Sequence, residues 1–193
     1  MIASAASFET DELIEGLQSR SVPVTRIITG IGLTASAMIA ARLLDLVEGR
    51  HVIFCGTGGV IGAFKDVSLH LARSIELAPY DVRLGSAEIL EYFDPKIELR
   101  RLPFQFPDCR VVSSLGISLG PESSPEGPLT IETIELYAIA RAWATRAKTL
   151  TAIFGTTNAT GPSGRSDWKQ YHQKAASITA NQVLAELSRL SLI

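Results

Sequence analysis

HVIFCGTGGVIG, residues 51–62, decides the fold class. Its first five residues form a short apolar run without helical spacing, the pattern of a strand buried on both faces. The glycines at the carboxyl end of that run read as a tight turn, in which backbone N–H groups can approach a ligand closely. Working outward, the same alternation recurs. On the amino-terminal side, residues 34–47 (TASAMIAARLLDLV) place apolar side chains three and four apart and predict a helix stopped near Gly49. Residues 24–29 (VTRIIT) predict a strand running into a second glycine-rich turn, TGIGLTA at 29–35, and MIASA at 1–5 predicts a short first strand before a helix over 9–17. On the carboxyl-terminal side, residues 109–115 (CRVVSSL) and 149–154 (TLTAIF) predict strands, 135–147 (ELYAIARAWATRA) a strong helix and 168–190 a closing helix. Residues 116–128 and 155–167 have the Gly, Pro, Ser and Asn content of loops, and 129–133 reads as extended or turning. In the middle, 67–77 and 82–84 read as strands and 86–92 as a helix. Strands alternating with helices in this way specify an α/β single domain with a central mixed, mostly parallel sheet flanked by helices.

Bulk properties narrow the function. A chain of 193 residues with 46% apolar composition fills one core and is too short for two comfortable domains. With 20% charged residues and a formal charge of −2 there is no broad basic field for a nucleic acid or an anionic membrane, so a small-molecule substrate fits better. The first residues have no basic n-region, and the longest apolar runs, 27–33 and 35–41, break well before the ~20 residues of a spanning helix. The expectation is a soluble, cytoplasmic protein. Cys55 and Cys109 have neither CxxC nor Cys/His spacing and are expected to be small buried apolar residues; no metal or organic cofactor is expected. His51, His70 and His172 lie in no motif and read as structural or surface residues. Trp143 and Trp168 read as packing residues, with Trp168 also a candidate to close a pocket.

Four groups of residues could carry chemistry. The two glycine-rich stretches follow predicted strands and are candidate pocket walls. Gly30, Gly32 and Ala35 also fit a loose dinucleotide fingerprint, but HVIFC does not end in the acidic residue that would hold a ribose hydroxyl. Glu9 follows the first strand, while Glu132 and Glu135 flank the entry to the strong helix, where acidic side chains also complement the helix dipole for under ~1 kcal/mol each. Asn158 sits in a TTNATG turn, a place where Asn is common because it tolerates turn conformations.

In order, SFETDEL, TGIGLTASA, VIFCGTGGVIG, IETIELYAIA and IFGTTNATGP resemble the motif succession of the nucleoside phosphorylase and methylthioadenosine nucleosidase superfamily. The resemblance covers both ends of the chain; residues 64–108 match poorly and are shortened. It implies a mixed sheet with flanking helices, a homo-oligomer and a nucleoside substrate. It makes Glu9 the glutamate that activates the attacking water and Glu135 the one that holds the ribose hydroxyls. Glu132, Thr133, Ile134 and Glu135 stand for the family's glutamate-rich motif, with Ile134 where a methionine is usual. Thr57, Gly58 and Gly59 match the turn beside sugar and base. Asn158 stands where adenine-specific nucleosidases carry an aspartate, which implies a 6-oxopurine, since an amide can both donate and accept at that edge. Gly161, Pro162 and Trp168 in NATGPSGRSDW resemble the pattern of futalosine hydrolases, although Phe154 replaces their preceding arginine. The implied reaction is hydrolysis of futalosine to hypoxanthine and dehypoxanthine futalosine, a step of menaquinone biosynthesis. Phosphorylases of the superfamily place an arginine where this chain has Phe54, which favours water over phosphate. A methylthioadenosine or aminofutalosine nucleosidase, a purine nucleoside phosphorylase and a non-catalytic nucleoside-binding relative remain the alternatives. Arg73, Arg83 and Arg100 are candidates to meet an anionic 5′-substituent.

Overall fold

A computed structural model describes residues 1–85, 88, 95–120 and 127–193. Its strands are β1 (Ile2–Ser4), β2 (Arg26–Ile28), β3 (His51–Val60), β4 (Leu69–Leu77), β5 (Lys96–Glu98), β6 (Asp108–Ser113), β7 (Thr130–Thr133) and β8 (Thr149–Ala159). Its helices are α1 (Asp11–Gln18), α2 (Leu33–Arg42), α3 (Leu44–Val47), α4 (Tyr80–Arg83), α5 (Leu136–Trp143) and α6 (Gly164–Arg189), with a 3-10 turn at Ser7–Glu9. All eight strands join one sheet. Pairs β1–β2, β1–β3, β3–β8, β4–β6 and β6–β7 are parallel, whereas β3–β7, β4–β5 and β4–β8 are antiparallel. The sheet is therefore mixed and mostly parallel, as the alternating sequence pattern predicts. The pairings β3–β8–β4–β6–β7–β3 close into a ring, with β1 and β2 continuing outward from β3 and β5 from β4.

The period-two alternation of a strand sends neighbouring side chains of β3 to opposite faces. Val52 and Phe54 join a cluster with Leu136, Ile139 and Trp143 of α5, while Ile53 and Cys55 join Leu13 and Leu17 of α1 and Val183 and Leu187 of α6. Helices thus cover both faces, which is why HVIFC is apolar throughout. Trp143 is fully buried and its Nε1–H donates to the Ala40 carbonyl at 2.9 Å, tying α5 to α2. Both cysteines are buried and free. No helix among the described residues is long and apolar enough to cross a membrane.

Several expectations need correction. Residues 56–60 and 155–159, read as turn and loop, are strand: β3 and β8 pair onward through Gly56↔Phe154, Thr57↔Gly155 and Gly58↔Thr156, then slip to Gly59↔Asn158. Composition misleads here because glycine marks a close crossing. A Cβ on Gly58 would lie 2.4 Å from Ile131 Cγ2 and 2.9 Å from the Glu132 carbonyl on β7. Residues 82–84, read as strand, lie in or next to helix α4, and the helix read over 34–47 breaks at Leu43 into α2 and α3. The helix read over 135–147 is shorter, with Glu135 as the N-cap of α5, and α6 begins at Gly164, ahead of the expected 168. The helix read over 86–92 lies outside the described residues apart from Glu88. By contrast TGIGLTA is a true turn, with Gly30 at φ +83° and Gly32 at φ +90°.

Candidate active site

Glu9 ends the 3-10 turn that follows β1, and its carboxylate folds back over the turn. Oε2 accepts from the Ala6 N–H at 3.1 Å, while Oε1 accepts from the Thr57 N–H at 3.1 Å and the Thr57 hydroxyl at 3.3 Å. The residue is 7% exposed. Burial pushes its pKa from the ordinary 4.5 up to about 7, the charge on Glu135 adds to that rise, and the three donors oppose it. Glu135 is held by other elements. Its Oε1 accepts from the Gly32 N–H at 3.1 Å in the turn before α2, and its Oε2 accepts from the Thr133 hydroxyl at 2.8 Å and the Ile134 N–H at 3.2 Å.

Both carboxylates line one cleft of about 360 Å³, the size of a small-molecule pocket. Asn158, near the carboxyl end of β8, lines it too. Its Oδ1 accepts from the Thr157 hydroxyl at 2.8 Å and its Nδ2 donates to the Ala159 carbonyl at 2.8 Å, which leaves one N–H and one lone pair to face outward. Glycines give the amide its present room: a Cβ on Gly59 would stand 2.8 Å from Nδ2, and one on Gly164 3.0 Å, so either would push the amide aside. Trp168, on the first turns of α6, completes this wall. Its Nε1–H donates to Thr57 Oγ1 at 3.1 Å, its ring stacks on His172 with centroids 4.5 Å apart, and Phe8 meets it edge-on at 6.0 Å.

The residues singled out in the sequence largely converge. Glu9, Thr57, Gly58, Gly59, Thr133 and Ile134 line the cleft, as do Glu132, Glu135, Asn158 and Trp168. Gly161 does not line it. With φ at +132° it makes the turn between β8 and α6, and its N–H donates to the Ser118 carbonyl at 3.1 Å. Glu132 lies at the cleft but its carboxylate is already engaged: it accepts from Arg83 at 2.8 Å, the Ser114 hydroxyl at 2.8 Å and the Ser118 N–H at 3.1 Å. It thus anchors residues 114–118 instead of offering a free acceptor. Of the arginines expected near a substituent, Arg83 is spent on Glu132, Arg73 borders a separate hollow with Glu76 and Asp108, and Arg100 does not line the cleft.

Sequence reasoning missed Arg165, the cation among the described lining residues, because it sits in a stretch read as loop. It also missed Phe8, Ile31 and Ile117, exposed apolar side chains at the cleft whose neighbours are distant in sequence. His172, expected to be structural or at the surface, backs the Trp168 ring. Among the described residues no group of three or more His, Cys, Asp or Glu side chains is placed to hold a metal ion.

No family model matches the chain, and neither does any curated protein. Solved structures do. A Streptococcus pneumoniae 5′-methylthioadenosine/S-adenosylhomocysteine nucleosidase, solved with a transition-state inhibitor, superposes with a TM-score of 0.74 at 18% identity and covers 98% of each chain. The fold is the nucleosidase fold. The Helicobacter pylori nucleosidase D198N variant holding 5′-methylthioadenosine in its active site gives 0.71 at 12% identity over 97% of each chain. A futalosine hydrolase variant from the same organism gives the same 0.71, 12% and 97%. The shared fold covers 97–98% of the chain.

Proposed function

We propose that the cleft hydrolyses the N-glycosidic bond of a 6-oxopurine nucleoside, with futalosine as the substrate and hypoxanthine as the released base. The observation that carries this reading is the convergence of Glu9, Glu135 and Asn158 on one cleft, each held by a different part of the chain. N-glycosidic cleavage passes through an oxocarbenium-like sugar, so a site that performs it needs negative charge near C1′ and a partner for the leaving base. Water adds to C1′ as the C1′–N9 bond breaks; the bonding pair leaves with the purine, which takes up a proton at N7 from solvent, matched by the proton that Glu9 removes from the water and later returns to solvent. Glu9 accepts the proton of the water, a general-base contribution of order 10²–10⁴ in rate. Glu135 accepts from a ribose hydroxyl with the one Oε1 lone pair that Gly32, Thr133 and Ile134 leave free. Asn158 offers its outward N–H and lone pair to the base edge.

The lining favours water over phosphate as nucleophile. With Glu132 paired to Arg83, two carboxylates, Glu9 and Glu135, stand against the single cation Arg165 among the described lining residues, and Phe54 is fully buried in the core rather than presenting a charge. A phosphate dianion placed there without more cations would be costly. Incubating the protein with futalosine, inosine and methylthioadenosine, with and without phosphate, tests the reading. Phosphate-independent release of hypoxanthine from futalosine is expected. Adenine as the main product would transfer the chain to the methylthioadenosine or aminofutalosine nucleosidases, phosphate-dependent turnover to the phosphorylases, and tight binding without product to a non-catalytic relative. A homo-oligomer is the expected assembly, checked by light scattering against the 20.8 kDa of one chain.

A further inference from the structure

Trp168 does more than form a wall. Its Nε1–H donates to Thr57 Oγ1 at 3.1 Å, and a hydroxyl that accepts from an indole keeps its own proton for another acceptor. The acceptor in reach is Glu9 Oε1 at 3.3 Å, which also takes the Thr57 backbone N–H. The indole is itself held in place: His172 lies nearly parallel to it, at an interplanar angle of 17°, and Phe8, the residue before Glu9, touches it edge-on. Helix α6 thus reaches the carboxylate by a polar route through Thr57 and an apolar route through Phe8.

We propose that Trp168 is a positioning residue for the water-activating carboxylate, and that by donating to Thr57 Oγ1 it commits the Thr57 proton to Glu9 Oε1 and aims Glu9 into the cleft. The assignment of water activation to Glu9 rests on the hydrolase reading above; the hydrogen-bonded chain itself does not. A donor to a carboxylate favours its charged form, so loosening that donor raises the pH at which Glu9 ionises. The titratable and charged groups on the surrounding elements include Glu135 at the head of α5, Cys55 on β3, Arg165, Asp167, Lys169 and His172 on α6, Asp11, Glu12 and Glu15 on α1 and Arg26 on β2. Loss of the N–H changes the charge of none of them, and because His172 stacks on the ring, the replacement at 168 that keeps both rings separates loss of the N–H from loss of that contact.

The test is a ¹³C NMR titration of the Glu9 carboxyl in the unliganded protein, assigned with Glu9→Gln, for wild type, Trp168→Phe, Thr57→Val and the double variant. Trp168→Phe is expected to raise the Glu9 midpoint by roughly half to one pH unit and to lower kcat about three- to tenfold with a smaller change in KM. Thr57→Val should shift the midpoint the same way, and the double variant no further than Thr57→Val alone, because both substitutions remove one chain. Should Trp168→Phe fail to fold, benzothienylalanine at 168 keeps both rings and lacks only the N–H. An unchanged midpoint, additive shifts, or a rise in KM alone would overturn the proposal. A coupled shift in a protein that cleaves no nucleoside would uphold the positioning and sink the hydrolase reading, so the two failures are separable.

Discussion

At Glu9 two opposing effects meet, and burial wins. Three hydrogen bonds stabilise the charged carboxylate, yet its removal from water and the nearby Glu135 charge leave it titrating at about 7. A base poised there is half ionised at neutral pH, which suits general-base work. The expected kcat/KM therefore rises with pH and levels off above about 7, and Glu9→Gln should lose at least about 10²-fold in kcat while folding normally. The same shift acts on stability. Because the folded-state value lies above the ordinary 4.5, the native state holds this proton more tightly than the unfolded chain, so stability falls as pH rises from about 4.5 to about 7. The loss is on the order of 3 kcal/mol at alkaline pH, and Glu9→Gln should recover much of it, as urea melts at pH 5 and pH 8 would show. For Asn158, an aspartate at the same place can carry a proton and meet an adenine edge, so Asn158→Asp should move preference from 6-oxopurine towards 6-aminopurine nucleosides. Equal rates on inosine and adenosine before and after would contradict that. Glu9 and Asn158 were legible because they stand in short motifs. The commitment of Glu132 was not, because its partners Arg83 and Ser118 lie 49 and 14 residues away and no local pattern links them.

The elements show where composition and structure part. HVIFC reads correctly as a buried strand because alternate side chains feed two separate apolar clusters. GTGGV reads as a turn because glycine is the usual turn residue, yet here it continues β3, since β7 crosses too close for a side chain. TTNA reads as loop because Asn tolerates turn conformations and glycines flank the stretch at 155 and 161, although Thr156, Thr157 and Asn158 are all buried. Hydroxyls and amides can occupy a strand interior when each finds a partner, as Thr156 does in the Ser68 N–H at 2.9 Å. Gly58→Ala tests this account. Its Cβ would stand 2.4 Å from Ile131 and 2.9 Å from the Glu132 carbonyl, and the backbone carbonyl cannot rotate away. A loss of about 1–3 kcal/mol or more in denaturant melts is expected, whereas a glycine in a free turn would tolerate alanine with little change.

Taken whole, the molecule builds its cleft from segments that are far apart in sequence. The 3-10 turn after β1, the glycine turn before α2, the ends of β3 and β8, the β7–α5 junction and the start of α6 all contribute a lining residue. Fold class and helix faces follow from periodicity, which is local. The meeting of these segments follows from strand order, which periodicity does not encode. The closed pairing of β3, β8, β4, β6 and β7 has a consequence for motion. Beneath the cleft, the Gly56–Val60 and Gly155–Asn158 backbones belong to a girdle that has no free end from which to peel, so they open only when the whole domain comes apart. Amide deuterium uptake there should be as slow as global unfolding allows, while the exposed residues 7–8 and 115–117 take up label early; breathing needed to admit and release a ligand is then confined to the rim.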